Sequence, residues 1–148
     1  MPLWYTSYMI PINLVTVSGA AIVAFIIGFL FHGPVFGKLW MKLANVKMTG
    51  NEKFKDMVPQ MLWNLLANFV TAYVLAIIYA LASSSSLLSG AGIWGGVVCG
   101  LLAWLGFIVT ATSIEVIWMG RTVKLWLFEA ACSFVVMAVM GAIIAAFP

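Results

Sequence analysis

The sequence predicts an all-α integral membrane protein, with four transmembrane helices and an interfacial amphipathic helix between the first and second. Three observations carry that prediction. Hydrophobic residues make up 65% of the 148-residue chain and charged residues only 7%. Soluble domains carry about 25% charged residues, so this chain lacks the charge to cover a surface facing water. Its apolar residues gather into four stretches long enough to cross a bilayer core, which takes about 20 residues of helix. Its basic residues gather into two of the three connections, the pattern of cytoplasmic loops under the positive-inside rule. The length fits a single domain, 1–148.

The first span is expected at 13–32. The preceding "MPLWYTSYMIP" lacks the basic start of a signal peptide, so the span is expected to stay in the mature chain. Gly33 and Pro34 end it. Over about 35–48, Val35, Phe36, Leu39, Trp40 and Leu43 fall on one helical face, with Lys38, Lys42 and Asn45 on another. Such a helix lies in the headgroup region, as an anchor, a gate or a reader of anionic lipid. Gly50 and Asn51 mark a turn before the second span at 61–82. A Ser-rich loop leads to the third span at 91–113, and the fourth runs over 125–147.

Charge sets the expected topology. The loop after span one holds Lys38, Lys42, Lys47, Lys53 and Lys55, and the loop after span three holds Arg121, with Lys124 beside it. Loops 33–60 and 114–124 should therefore be cytoplasmic, with both termini and the Ser-rich loop outside. Trp4, Tyr5, Tyr8 and Trp94 would mark the outer interface, and Trp40, Trp63, Trp118 and Trp126 the inner one. Trp104 lies mid-span and should pack between helices. "KLW" at 38–40 and again at 124–126 hints at duplicated hairpins, although lysine and tryptophan belong at that depth in any case.

Lipid gives helices no hydrophobic reason to associate, so close packing needs small residues. Three stripes offer them: Gly92, Gly96 and Gly100; Ala20, Ala24 and Gly28; and Ala138, Ala142 and Ala146. One stripe could serve a second subunit.

Polar residues recur in the cytoplasmic third of every span: His32, Asn64, Asn68, then Thr110, Thr112, Ser113 and Glu115, then Glu129. Placed either side of a short turn, Glu115 and Glu129 should lie at similar depth. Two bare carboxylates in lipid do not both ionise. Either one is protonated, or Arg121, Lys124 or His32 compensates, or a cation binds. The first two outcomes make a structural clamp and the third makes a site. Metal is not expected, because His32 stands without local ligand spacing. Cys99 and Cys132 read as free thiols packed as small hydrophobes, too far apart in depth for a disulfide. No nucleophile triad, phosphate loop or CxxC occurs, so no enzyme activity and no cofactor are expected. Lysines without a stacking platform make nucleic acid an unsuitable partner.

"GFLFHGPVFGKLWMKLA" after the first span, and "WLGFIVTATSIEVIWMGRTVKLWLFEA" across the third and fourth, resemble the small bacterial four-span membrane proteins filed as domain of unknown function 1761. The resemblance covers about residues 12–147. It implies a four-helix domain in a prokaryotic inner membrane, brings no activity with it, and implies amides where this chain carries Glu115 and Glu129. The expected partners are membrane lipids and either a second copy or a larger membrane complex. The first functional expectation is a packing or assembly protein. The alternative is a small transporter or channel that passes a proton, cation or small solute through the cytoplasmic-side polar layer.

Overall fold

A computed structural model describes residues 12–46, 54–85, 88 and 90–148. The expectations for Trp4, Tyr5, Tyr8, Lys47, Gly50, Asn51 and Lys53 fall outside these residues. The described residues are helical, with no strand. Helix α1 spans Leu14–His32, α2 Gly37–Ala44, α3 Phe54–Ser83, α4 Gly92–Ile117 and α5 Val123–Ala146. Four of them are long and apolar enough to cross a membrane: α1, α3, α4 and α5.

Local chemistry sets several ends. The Asn13 side chain caps α1, accepting from Val15 N at 3.1 Å and Thr16 N at 3.2 Å. The Thr122 hydroxyl caps α5. Helix α2 is shorter than the 35–48 expected, because Asn45 takes a left-handed conformation at φ 54° and stops it. Helix α3 begins well before the apolar stretch at 61–82 and carries Pro59 in its second turn. Helix α4 is not uniform. Trp104–Val109 forms a π segment, where bonds run i→i+5 and one extra residue is fitted into a turn.

In cross-section the order around the bundle is α3, α1, α5, α4, with α3 and α4 meeting lightly to close it. The most intimate pair is α4 with α5, and glycine makes it so. A Cβ on Gly96 would lie 2.8 Å from the Gly141 carbonyl carbon, and one on Gly100 would lie 3.0 Å from that of Met137. The two backbones touch directly, as small-residue crossings allow. On α5 the buried face runs through Met137, Met140, Gly141 and Ile144, not along the expected Ala138, Ala142 and Ala146 stripe. Ala20 and Ala24 of α1 are buried, but a Cβ on Gly28 would meet nothing within 4 Å, and neither would one on Gly92, which opens α4 at φ +51°. Neither glycine packs against another helix among the described residues.

The core is Val17, Ala20, Ala21 and Ala24 with Ala72, Leu75 and Ala76, closed by Cys99, Met137, Met140 and Ile144. All come from the same half of the bundle, the half nearer the Ser-rich loop. Two bonds brace that end: Thr16 Oγ1 donates to Phe147 O at 2.6 Å, and Tyr79 OH to Gly92 O at 3.4 Å. In the other half, the end carrying the basic residues, α3 and α5 part and leave a cleft.

Gly96→Leu should destabilise the folded monomer by at least about 3 kcal/mol, at the upper edge of ordinary overpacking because backbone stands in the way. Gly28→Ala should be neutral or stabilising by up to about 1 kcal/mol, since a helical glycine gives up more entropy than alanine. Unfolding by dodecyl sulfate in mixed micelles measures both.

Candidate functional site

The cleft has a volume of about 750 Å³ and lies among α1, α2, α3 and α5. Each wall follows from helical spacing. Gln60, Asn64, Asn68 and Thr71 recur at intervals of four, four and three along α3, so their side chains share one face, and all four line the cleft. Glu129 and Ser133, four apart on α5, line the opposite side. His32 closes it from the last turn of α1, and Trp40 from α2. Phe25, Phe29, Met57 and Met61 make the apolar part of the wall.

Glu129 is the hub. Its Oε2 is 2.9 Å from His32 Nε2, and its Oε1 accepts from Trp40 Nε1 at 2.9 Å. His32 Nδ1 is 2.9 Å from Gly28 O. A carbonyl oxygen only accepts, so Nδ1 carries a proton. One further proton lies between Nε2 and the carboxylate. Whichever side holds it, the His32–Glu129 pair carries no net charge, and the indole N–H on Oε1 favours the imidazolium–carboxylate form. The ring of His32 also meets Trp40 edge-on at 5.5 Å and Phe128 at 5.9 Å. Phe36 meets Phe31 at a tilt and Phe128 edge-on. This aromatic cluster folds α2 back onto the bundle end. Trp40 therefore turns inward, where a place in the interfacial belt was expected. Lys38 and Lys42 on the same helix are exposed.

Glu115 is elsewhere. It pairs with Arg121, and its carbonyl accepts from Arg121 N at 3.0 Å and Met119 N at 3.2 Å. This is a local lock on the α4–α5 turn, outside the cleft. The expected single layer containing both carboxylates is thus two arrangements, each with its own cation: Arg121 for Glu115 and His32 for Glu129. Lys124 is exposed and makes no ion pair among the described residues. Trp126 donates to Thr112 Oγ1 at 3.0 Å and joins α5 to α4.

On α3, Asn68 Nδ2 donates to Asn64 Oδ1 at 2.5 Å and Asn64 O at 2.9 Å. Asn64 is exposed, and its own amide N–H groups have no acceptor among the described residues. Lipid does not tolerate an unsatisfied amide, so this face needs water, a solute or another chain. Gln60, Thr71 and Ser133 were not singled out from the sequence. The polar spacing along α3 would have found the first two. Ser133 is also tied to Trp104, whose Nε1 donates to Ser133 Oγ at 3.1 Å and Ala130 O at 3.0 Å. That bond anchors the π segment to the cleft wall. Among the described residues no set of three or more His, Cys, Asp or Glu could hold a metal ion, and Cys99 and Cys132 are free and buried.

Glu129→Leu should leave Trp40 Nε1 and His32 Nε2 without partners and cost roughly 2–4 kcal/mol. It should also release α2, which limited trypsin digestion reads as faster cleavage at Lys38 and Lys42. Glu115→Gln should stay within about 1 kcal/mol, as expected for a pair that is a third exposed.

No curated protein and no solved structure matches the chain. Residues 15–145 match the family described as "Protein of unknown function (DUF1761)". With nearly all of its membrane-embedded length inside that match, the chain belongs to the DUF1761 family.

Proposed function

We propose that this membrane protein handles a small polar solute, which enters the cleft from the basic end and is held between the α3 amides and Glu129. The observation that carries the reading is the polar stripe Gln60, Asn64, Asn68 and Thr71 facing His32 and Glu129 across an open cleft. A membrane protein that only packs has no use for amides and an ion pair around empty space, because each costs free energy on insertion. The tight alanine-rich core between this cleft and a second opening of about 490 Å³ at the Ser-rich end, lined by Thr16, Val17, Ala76, Tyr79 and Ile144, suits a carrier loaded from one side at a time. The charge asymmetry of the loops would make the basic side the cytoplasm of an inner-membrane protein.

An assembly role is the second reading, favoured by the exposure of Asn64: a helix of another chain laid over the cleft would satisfy it. Of the small-residue stripes, Gly96, Gly100, Ala20 and Ala24 are used within the chain, which leaves Ala138, Ala142 and Ala146 as the stripe available to a second chain.

Solvent access separates the two. In a chain with Cys99 and Cys132 replaced by alanine, Thr71→Cys should react with a water-soluble methanethiosulfonate at least about tenfold faster than Leu66→Cys, because the reagent needs a hydrated thiolate. Leu66 is half-exposed on α3 but lies outside the cleft. Adding Asn64→Phe should slow the Thr71→Cys reaction. A Thr71→Cys site that is inert in native membranes and reactive after extraction would mean that another chain covers the cleft.

A further inference from the structure

We infer that the solute is a small monovalent organic cation, bound in exchange for one proton released by the His32–Glu129 pair. The inference rests on the reading of the cleft as a solute site and adds its chemistry.

The charge count comes first. Among the described residues, His32 is the only cationic side chain in the cleft wall, with no lysine or arginine lining it. While the pair holds its proton, the wall is neutral. When His32 releases it, the wall carries the single negative charge of Glu129, and a monovalent cation restores neutrality. The exchange balances: imidazolium and carboxylate plus cation give neutral imidazole and carboxylate–cation plus a proton to water at the open end. No bond to carbon changes and no redox partner is needed. The other groups acting on Glu129 do not disturb the count. From α1 there is His32, and from α2 the indole of Trp40, which does not titrate. From the α4–α5 turn, Arg121 is held by Glu115. On α5 itself Cys132 follows within a turn. From α3 the described wall residues bring amides, a hydroxyl and the thioethers of Met57 and Met61, none of which titrates.

The wall then selects an organic cation over a metal ion. Hard metal ions take six or more oxygens in a close cage, whereas this wall sets one carboxylate and a few amide and hydroxyl oxygens among Phe25, Phe29, Trp40, Met57 and Met61. Aromatic faces attract organic ammonium groups, and methionine adapts to their apolar parts. The volume of about 750 Å³ is that of a drug-sized ligand site.

The test uses the whole chain in phosphatidylcholine nanodiscs, with benzyltriethylammonium as the cation and benzenesulfonate as an anion of similar ring size. Calorimetry in buffers of different ionisation enthalpy should find the cation bound, the anion not bound, and about one proton released per cation. Affinity should tighten by up to about tenfold per pH unit as pH rises, until the free protein has already lost the proton of the pair and the slope vanishes. Glu129→Gln should abolish binding, and His32→Gln should retain binding but lose proton release near neutral pH. Cation binding without proton release would overturn the exchange. Equal binding of the anion, or binding of neither ion, would overturn the cation assignment while the Thr71→Cys reactivity keeps the solute cleft. An unreactive Thr71→Cys site would remove the cleft reading itself. The proton count and the pH slope are read on the unmodified protein, so misfolding of a variant does not hide the answer.

Discussion

The direct contact of the α4 and α5 backbones, at Gly96 on Gly141 and Gly100 on Met137, is the constraint on which the rest of the bundle is arranged. In lipid there is no hydrophobic gain from bringing two apolar helices together, so association rests on close van der Waals fit. Once two of the helices are pinned that tightly at one end, the remaining pair has to be thin there to complete the core. Ala20, Ala21 and Ala24 on α1 and Ala72 and Ala76 on α3 meet that demand. Toward the basic end the alanines give way to Phe25, Phe29, Met57 and Met61, the helices cannot approach as closely, and the space between them is left to polar groups. The cleft is thus a by-product of where the small residues stop.

Glu129 unites parts that the packing alone would leave loose. One carboxylate holds the end of α1 through His32 and the whole of α2 through Trp40. Both partners are ring nitrogens with little rotational freedom, so the ordering entropy they lose is small beside that of a lysine. The same arrangement gives the carboxylate two fixed partners and leaves further lone pairs facing the cleft. Position and reactivity are therefore set by one side chain, and α2 forms part of the site's wall as well as a surface element.

Much of the fold was legible because composition alone decides it: in a chain this apolar, the four long hydrophobic stretches have little choice but to span as helices. What could not be read was rotation about each helix axis. Along α5 nearly every residue is apolar, so the stripe of Ala138, Ala142 and Ala146 looked as good as Met137 and Gly141, one position away. Only the backbone contact with α4 distinguishes them. The start of α3 at Phe54 was hidden because Lys55, Asp56 and Gln60 break the apolar pattern without breaking the helix. Within the candidate site, Asn64 and Asn68 were visible as an i,i+4 pair, and Gln60 and Thr71 extend the same spacing. The His32–Glu129 pair joins residues 97 apart in sequence, and no local pattern encodes such a contact. Glu115 and Glu129 take separate partners because Arg121, six residues from Glu115, captures that carboxylate at the turn.

The π segment at Trp104–Val109 has a consequence for how this chain tolerates insertions and deletions. A π turn stores one residue more than an α turn, so everything after it is rotated by about 100° relative to an uninterrupted helix. Gly96 and Gly100, before the segment, face α5 through one side of α4. Thr112, after it, is aimed back at Trp126 on α5, and Ile108 within it borders the cleft. Removing a single residue between 104 and 109 would let the stretch relax to plain α-helix with the hydrogen-bond ladder intact. Thr112, Glu115 and the following turn would keep their aim at α5, because the helix loses the spare residue and its rotation together. Straightening the segment with every residue retained would instead turn Thr112 away from Trp126 by about 100°, so this stretch of α4 tolerates the loss of one residue better than the loss of its π geometry.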